Sequence, residues 1–483
     1  MKKQLSVLLA CLLFLPSLAS CADDVPDQQD NAPLNAAEVV SSPETTMETE
    51  PEGPAFPELT YDGDEIRFLT EDWRFGDIYD CRDIYAEGLD GTLINDAVYT
   101  RNMQVEDRFD IHITQECLPL ANEAARTAII SGDTIYDIAM PYLNASTALA
   151  LEGLYLDLFE IENLHLENKW WDQNANSTLT INGKLYFSTG DISILDNDCM
   201  LVLFFNKDMI RNFTLDSPYE LVKEGTWTLD SLIAMNDTVA SDIDGDGVMD
   251  PNSDRFGLYA FANTPHALFF GTGEKIVGLD EEGHPQLVMY NERSVDAINR
   301  IMEFCLADNV MRGDYGLSEH ALMEGRLLFG AWALTEITSL RDSEADFGVL
   351  PMPKLNEAQS RYYCFMSTGL TPTVSIPITN SDPGQAGLIL EAMAYYSVDT
   401  LTHAYYDLAL NSRYIRDEES SEMFDIMFAS TVYDFGWIFD VGGLGSLMEG
   451  MFNSNNNYFS SAYKASEKRA LRDIETIFGA SGN

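Results

Sequence analysis

Basic residues are scarce in this chain: 28 Lys and Arg stand against 79 Asp and Glu, a formal net charge of −51 over 483 residues. Repulsion from phosphates makes nucleic acid or an anionic membrane surface an unfavourable partner. A neutral or cationic ligand fits better, and the plainest reading is that the charge keeps an exported protein soluble. Long apolar runs are missing as well. No segment after the N-terminus approaches the eighteen or so residues a membrane-spanning helix needs. There is no HExxH, GxSxG, GxxxxGK or strand-linked GxGxxG, so the common hydrolytic and nucleotide-binding machineries have no sequence support. Ser461-Ala-Tyr-Lys464 has serine–lysine spacing but lacks the companion S-D-N and K-T-G elements. The six histidines are scattered singly. Seven cysteines show no CxxC spacing. Most of Cys81, Cys117, Cys199, Cys305 and Cys364 read as small buried apolar residues. No internal repeat is visible.

What is present begins at the N-terminus. Lys2 and Lys3 precede an apolar run from Leu5 to Leu15, too short to span a bilayer and laid out as a signal peptide over residues 1–20. Leu18-Ala19-Ser20-Cys21 resembles a lipobox, which makes Cys21 the expected lipidated N-terminus of the mature protein. From Ala22 to Pro57 there is no Lys or Arg and no hydrophobic period, as in a disordered acidic tether. The expected location is the outer face of the cell membrane, held by lipid.

An apolar share of 46% and the chain length suit two domains with separate cores. Glu65–Leu69 reads as a strand. Ile94, Val98, Val105 and Phe109 recur at helical spacing, Ile111 and Ile113 alternate as in a strand, Leu120–Ile130 is helical and Tyr136–Met140 strand-like. Alternating strands and helices predict a parallel α/β sheet with right-handed crossovers. Asn182-Gly183 is a hairpin-turn dipeptide between expected strands at Thr178–Ile181 and Leu185–Phe187. Cys199–Phe205 is continuously apolar, as a strand buried on both faces is, and ends at Asn206-Lys207-Asp208. A second α/β unit follows. It has a helix capped at Thr226 or Thr228, strands at Phe256–Phe261, up to Trp332 and at Phe347–Leu350, and a helix marked by Val295, Ile298, Ile301, Met302 and Cys305. The chain is expected to return to the first unit near Ser367–Pro377 and supply a helix at Gln385–Tyr396.

Asp242-Ile-Asp244-Gly-Asp246-Gly247-Val248-Met-Asp250 carries oxygen ligands at positions 1, 3, 5, 7 and 9 with Gly at 6, the spacing of an EF-hand calcium loop. Val248 would contribute its carbonyl. Position 12 holds Ser253 where a bidentate Glu is expected, with Asp254 one residue late as a substitute ligand. A metal-free acidic turn is the alternative. The loop's place between helix and strand suggests a structural Ca2+.

Several landmarks taken together resemble the extracellular solute-binding proteins of family 1, the sugar receptors of ABC importers related to maltose-binding protein. They are the GKLYFSTG…LVLFFNKD crossover, GTWTLDSL, EGRLLFGAW, FGVLPMPK and YYDLALNSRYIRDEESSEMFDI. In GTWTLDSL, Thr228 and Leu229 stand where the family's helix start usually has acids. The resemblance implies a two-lobed, periplasmic-binding-protein-like type II α/β fold with a hinge and an interlobe ligand cleft. Lobe 1 would take residues 58–195 plus about 367–405, and lobe 2 residues 196–366 plus about 406–483. It further implies a non-enzymatic receptor that captures an oligosaccharide and delivers it to membrane permease subunits by hinge closure.

Sugar recognition needs flat apolar faces and hydroxyl-binding side chains. Trp73 and Tyr142 follow strand ends, where open α/β sheets bind ligands. Trp170, Trp171, Tyr186, Trp332 and Trp437 are further stacking candidates, and Asp191 is a candidate hydroxyl acceptor. Trp332 matches a position where the maltose-type relatives stack a sugar. Trp227 is expected to pack beside a helix start. A secreted glycoside hydrolase, using paired carboxylates, and a carbohydrate-binding adhesin are the rival readings.

Overall fold

The computed structural model describes residues 53–72, 81–280, 284–313, 315–340, 345–410 and 418–479. The expected signal peptide, Cys21, nearly all of the tether and Trp73 lie outside the described residues. No helix among those described is long and apolar enough to cross a membrane.

Two sheets organise the body from Phe56 onward. In the first, β1 (Asp64–Glu71), β2 (Ile111–Leu118) and β3 (Ile138–Met140) run parallel in the order β2-β1-β3. The helices Leu93–Phe109 and Ala121–Ser131 make the two crossovers. The first of them buries Ile94, Val98, Val105 and Phe109, the residues whose 3.6-residue recurrence marks its inner face. It stops at Asp110, which takes a left-handed φ of 51°.

The second sheet is mixed. β4 (Met200–Asn206) is its centre, and all seven of its residues are buried, as its unbroken apolar run requires. β5 (Phe256–Tyr259) precedes a small ribbon of β6 (Val277–Leu279) and β7 (Pro285–Leu287). β8 (Val310–Met311), β9 (Leu327–Ala333), β10 (Phe347–Leu350), β11 (Cys364–Met366) and β12 (Thr431–Val432) complete the set. The order is β12-β11-β4-β9-β5-β8, with β10 also pairing β4. Thr228 and Ser231 form a reciprocal capping box on the helix Leu229–Val239. Trp227 packs fully buried beside it, its indole N–H donating to the Pro351 carbonyl at 3.0 Å.

The chain does return to the first sheet. Ser375 bridges Ala139, Pro372 bridges Tyr142 and Val374 bridges Ser188. The helix Pro383–Ser397 then packs on the helix Leu93–Phe109. Two local expectations fail: Leu185–Phe187 belongs to no strand, and neither does Thr178. Thr178 belongs to a helix, Gln173–Leu179, and not to a strand, because the Asp172 carboxylate accepts from the Asn174 and Ala175 amides and starts a helical turn. The Asn182-Gly183 turn itself is present, with φ of 53° and 76°, closed by a bridge between Ile181 and Lys184.

Candidate functional site

The crossover Thr189–Cys199 joins the two sheets and is held by a buried cation. Arg101 reaches in from the helix Leu93–Phe109 and donates to the carbonyls of Asp83 (2.8 Å), Ile84 (3.0 Å) and Ile192 (3.1 Å), and to Ser397 Oγ (3.3 Å). A planar fork with five donors can satisfy carbonyls from separate segments at once, which lysine cannot. Burial lowers its pKa to about 10, so it stays charged at neutral pH. Asp83 accepts from Ser193 Oγ and the Ile194 amide, both at 2.7 Å. Gly190 is dictated by close approach, since a Cβ there would lie 2.3 Å from the Trp170 carbonyl.

Around this knot sit Asp172, Asp191, Asp196 and Asp198. Tyr405 donates to Asp198 Oδ1 at 2.7 Å, and Arg82 lies 3.8 Å from its other oxygen. Tyr433 donates to Asp172 Oδ2 at 2.9 Å. Burial pushes Asp191 and Asp198 up to about 6 each. Asp196 is raised well above its ordinary value, first by burial and then by the charges of Asp172 and Asp191.

Beside Asp198 the two sheets approach across a slot of about 10 Å³. It is lined by Arg82, Asp198, Leu334, Thr335, Ile337, Thr338 and Tyr405. That is room for one water-sized group. Thr335 and Thr338 follow the carboxyl end of β9, where α/β sheets place ligands. Guanidinium and hydroxyl donors converge there with a carboxylate acceptor, a set suited to holding sugar hydroxyls. Of these residues the sequence reading singled out none, because their partners come from distant segments and no local pattern marks them.

The expected stacking residues fare differently. Trp170 and Trp171 are core residues. Their indole N–H groups donate to the buried Glu391 carboxylate at 3.1 and 2.9 Å, and Trp171 is 1% exposed. Trp332 is also 1% exposed, enclosed by Phe204, Tyr259 and Tyr315, so no face is offered to a ligand. Tyr315 is the exposed ring of that cluster. Trp437 packs on His266 at 4.4 Å and on Phe365 at 5.2 Å. Tyr142 is buried at the end of β3, and Tyr186 is half-buried against the core. Asp191 is half-buried at the crossover, its amide donating to the Trp170 carbonyl at 2.8 Å.

In the acidic loop, oxygens of Asp242, Asp244 and Asp246 lie within 4.8 Å of one another. Gly245 and Gly247, at φ of 75° and 85°, turn their amides onto the two oxygens of Asp242 at 2.6 and 2.8 Å. These bonds hold the Asp242 carboxyl below its ordinary pKa. The loop is thus coiled with three acids in one place. Val248 and Asp250 continue it, the Val248 amide donating to Asp246 Oδ1 and Asp250 Oδ1 accepting from Asn252. Asp254 is the correction. It is fully buried, with its two oxygens taken by the amides of Ile243 and Asp250 at 2.8 Å each, so it closes the loop's base instead of supplying a ligand.

No protein-family model matches the sequence, and neither does any curated protein. Solved structures do match. An ABC substrate-binding protein from Listeria monocytogenes in complex with cycloalternan is similar at 13% identity and TM-score 0.54, over 86% of this chain and 100% of that one. The GacH receptor of Streptomyces glaucescens, solved unliganded and with acarbose, gives 12% identity and TM-score 0.55 over 86% and 98%. The maltose/maltodextrin-binding domain MalE from Bdellovibrio bacteriovorus, bound to maltotriose, gives 15% identity and TM-score 0.53 over 85% and 100%. The chain therefore has the two-lobed α/β fold of the maltodextrin-type solute-binding proteins.

Proposed function

We propose that this protein is a lipid-anchored solute-binding receptor that holds an oligosaccharide between its lobes and presents it to an ABC permease, without changing it chemically. The observation that carries the reading is a fold shared over 98–100% of the length of sugar-binding receptors. The convergence of Arg82, Asp198, Thr335, Thr338 and Tyr405 at the strand ends between the lobes supports it. With room for a single water, the slot admits a sugar only if the lobes part, and ligand that bridges both lobes favours the closed form. The lipid attachment proposed at Cys21 would keep the receptor near its permease.

Isothermal titration of the purified body against an oligosaccharide panel tests this, with small-angle scattering in parallel. Binding with the sugar recovered intact and a smaller radius of gyration is the expected result. Glycoside turnover would move the assignment to a hydrolase. For the acidic loop we propose a structural Ca2+ held by Asp242, Asp244, Asp246, the Val248 carbonyl and Asp250, which would tie the end of the helix Leu229–Val239 to β5.

A further inference from the structure

Two hydrogen bonds run from one lobe to the other beside the crossover. Tyr433, which follows β12 of the second sheet, donates to Asp172 Oδ2 at 2.9 Å, and Asn174 Nδ2 donates to Thr431 Oγ1 at 3.0 Å. Asp172 belongs to the first lobe, because its neighbour Trp171 is tied to Glu391 on the helix that packs against Leu93–Phe109. Its Oδ1 is already taken by the Asn174 and Ala175 amides, so Oδ2 alone makes the clasp to Tyr433.

The same place holds two more carboxylates, Asp191 and Asp196, and the charge of Asp172 acts on both. Asp196 is buried, with the Asn197 amide at 2.7 Å and the Thr189 hydroxyl at 3.4 Å from its oxygens. Among the described residues, the charges acting on it are those of Asp172, Asp191 and Asp83, all negative. Tyr405, Tyr433 and Cys199 also face it, and burial keeps all three un-ionised. The guanidiniums nearby are engaged elsewhere, Arg82 at Asp198 and Arg101 on carbonyls. Lys169 acts on Asp191 from an exposed position, and Tyr406 faces it un-ionised. Carboxylates enclosed together with so little positive charge favour their protonated forms, whereas water admitted by parting the lobes favours the ionised ones.

We propose that lobe closure is coupled to proton uptake at this crossing, so that mild acid favours the closed form and ionisation of Asp172, Asp191 and Asp196 loosens the clasp. The sign follows from burial. Carboxyls held above their ordinary pKa only when enclosed stabilise the closed form below about pH 4, and that stabilisation is lost as pH rises through about 6, where Asp191 ionises. The coupling rests on the two-lobed fold and not on the identity of the ligand.

Small-angle scattering of the full chain without ligand tests this, from about pH 8 to about pH 5 and in about 1 M NaCl to screen surface repulsion. The radius of gyration falls as pH falls, the closed-to-open ratio rising by up to about tenfold per pH unit for each proton taken up. Asp172→Asn and Asp196→Asn keep the shape and the accepting oxygen but cannot ionise. Combined, they flatten the curve and stay compact at its alkaline end. An unchanged radius across the range, expansion in acid, or compaction seen only at low salt overturns the proposal. So does a double variant that keeps the slope of the parent. Sugar titration decides the receptor reading separately, since no ligand enters this measurement.

Discussion

Replacing Glu391 by Gln tests whether Trp170 and Trp171 are structural. Glu391 lies 0% exposed on the helix Pro383–Ser397. Its oxygens accept from four donors: the His165 amide (3.1 Å), Asn168 Nδ2 (2.7 Å), Trp170 Nε1 (3.1 Å) and Trp171 Nε1 (2.9 Å). Gln keeps the volume but turns one acceptor into an NH2 group. Two of the four donors then face a donor, and the amide hydrogens find no acceptor. A buried unsatisfied polar group costs about 1–3 kcal/mol, so two orphaned donors imply a loss of about 2–6 kcal/mol. Urea unfolding followed by tryptophan emission measures it, with an unchanged m-value showing that the loss lies in the native state. Sugar affinity of the folded variant should stay within about twofold, because both indoles point into the core. Stability within about 1 kcal/mol of the parent, or stability intact with affinity lost, would refute the reasoning.

Trp332→Ala should cost about 3–5 kcal/mol of stability, as buried aromatic truncations do, measured by the same urea titration. A negligible loss accompanied by weakened sugar binding would return Trp332 to the ligand. Calcium at about a hundred times its dissociation constant should stabilise by about 3 kcal/mol, and Asp244→Asn with Asp246→Asn should abolish that shift in Tm; no shift in the parent chain would dismiss the metal. The buried acids set a pH dependence. Asp191, Asp198 and Asp434 are each held at about 6 where 3.8 is ordinary. A folded pKa above the unfolded one gives stability that is present below about pH 4 and lost as pH rises through 6, about 3 kcal/mol per group at most. His266, buried and lowered to about 4, acts oppositely, losing stability as pH falls below its ordinary 6.5. The acids outnumber it, so Tm should rise from pH 7 to pH 5. Asp198→Asn should flatten that rise, and a Tm that falls over the same range would contradict the burial-driven shifts.

Local rules reached a good part of the fold. Asn182-Gly183 has both φ angles positive, because that dipeptide tolerates left-handed backbone. The seven residues of β4 are buried because an unbroken apolar run has no polar face to expose. What local rules could not reach is pairing across the chain. Arg101 meets Ser397 across 296 positions, and Trp171 meets Glu391 across 220. Nothing in the neighbourhood of a mid-helix arginine or glutamate says that it is buried. Thr178 shows the same limit at short range, where an aspartate cap six residues earlier overrode β propensity.

The tryptophans mark where composition misleads about a sugar site. Size and flatness make an indole suitable for stacking, but the same properties make it good core material. What separates the two uses is the fate of the N–H and of the ring faces. Trp170, Trp171 and Trp227 each spend the N–H on an internal acceptor. Trp332 is closed in by three other rings. The rule about strand ends, applied in the sequence to Trp73 and Tyr142, extends to β9, which delivers Thr335 and Thr338 to the slot beside Arg82 and Asp198. The groups that line the opening there are an arginine, an aspartate, two threonines and a tyrosine, with a leucine and an isoleucine between them. On the proposed function, recognition in that slot would draw on directional hydrogen bonds from these polar groups. Such a site should discriminate strongly against a sugar lacking one matching hydroxyl, because the protein group left behind is buried and unpaired. A deoxy-sugar series measured by calorimetry exposes this directly. Equal affinity across the series would mean that the slot is not where the ligand is read.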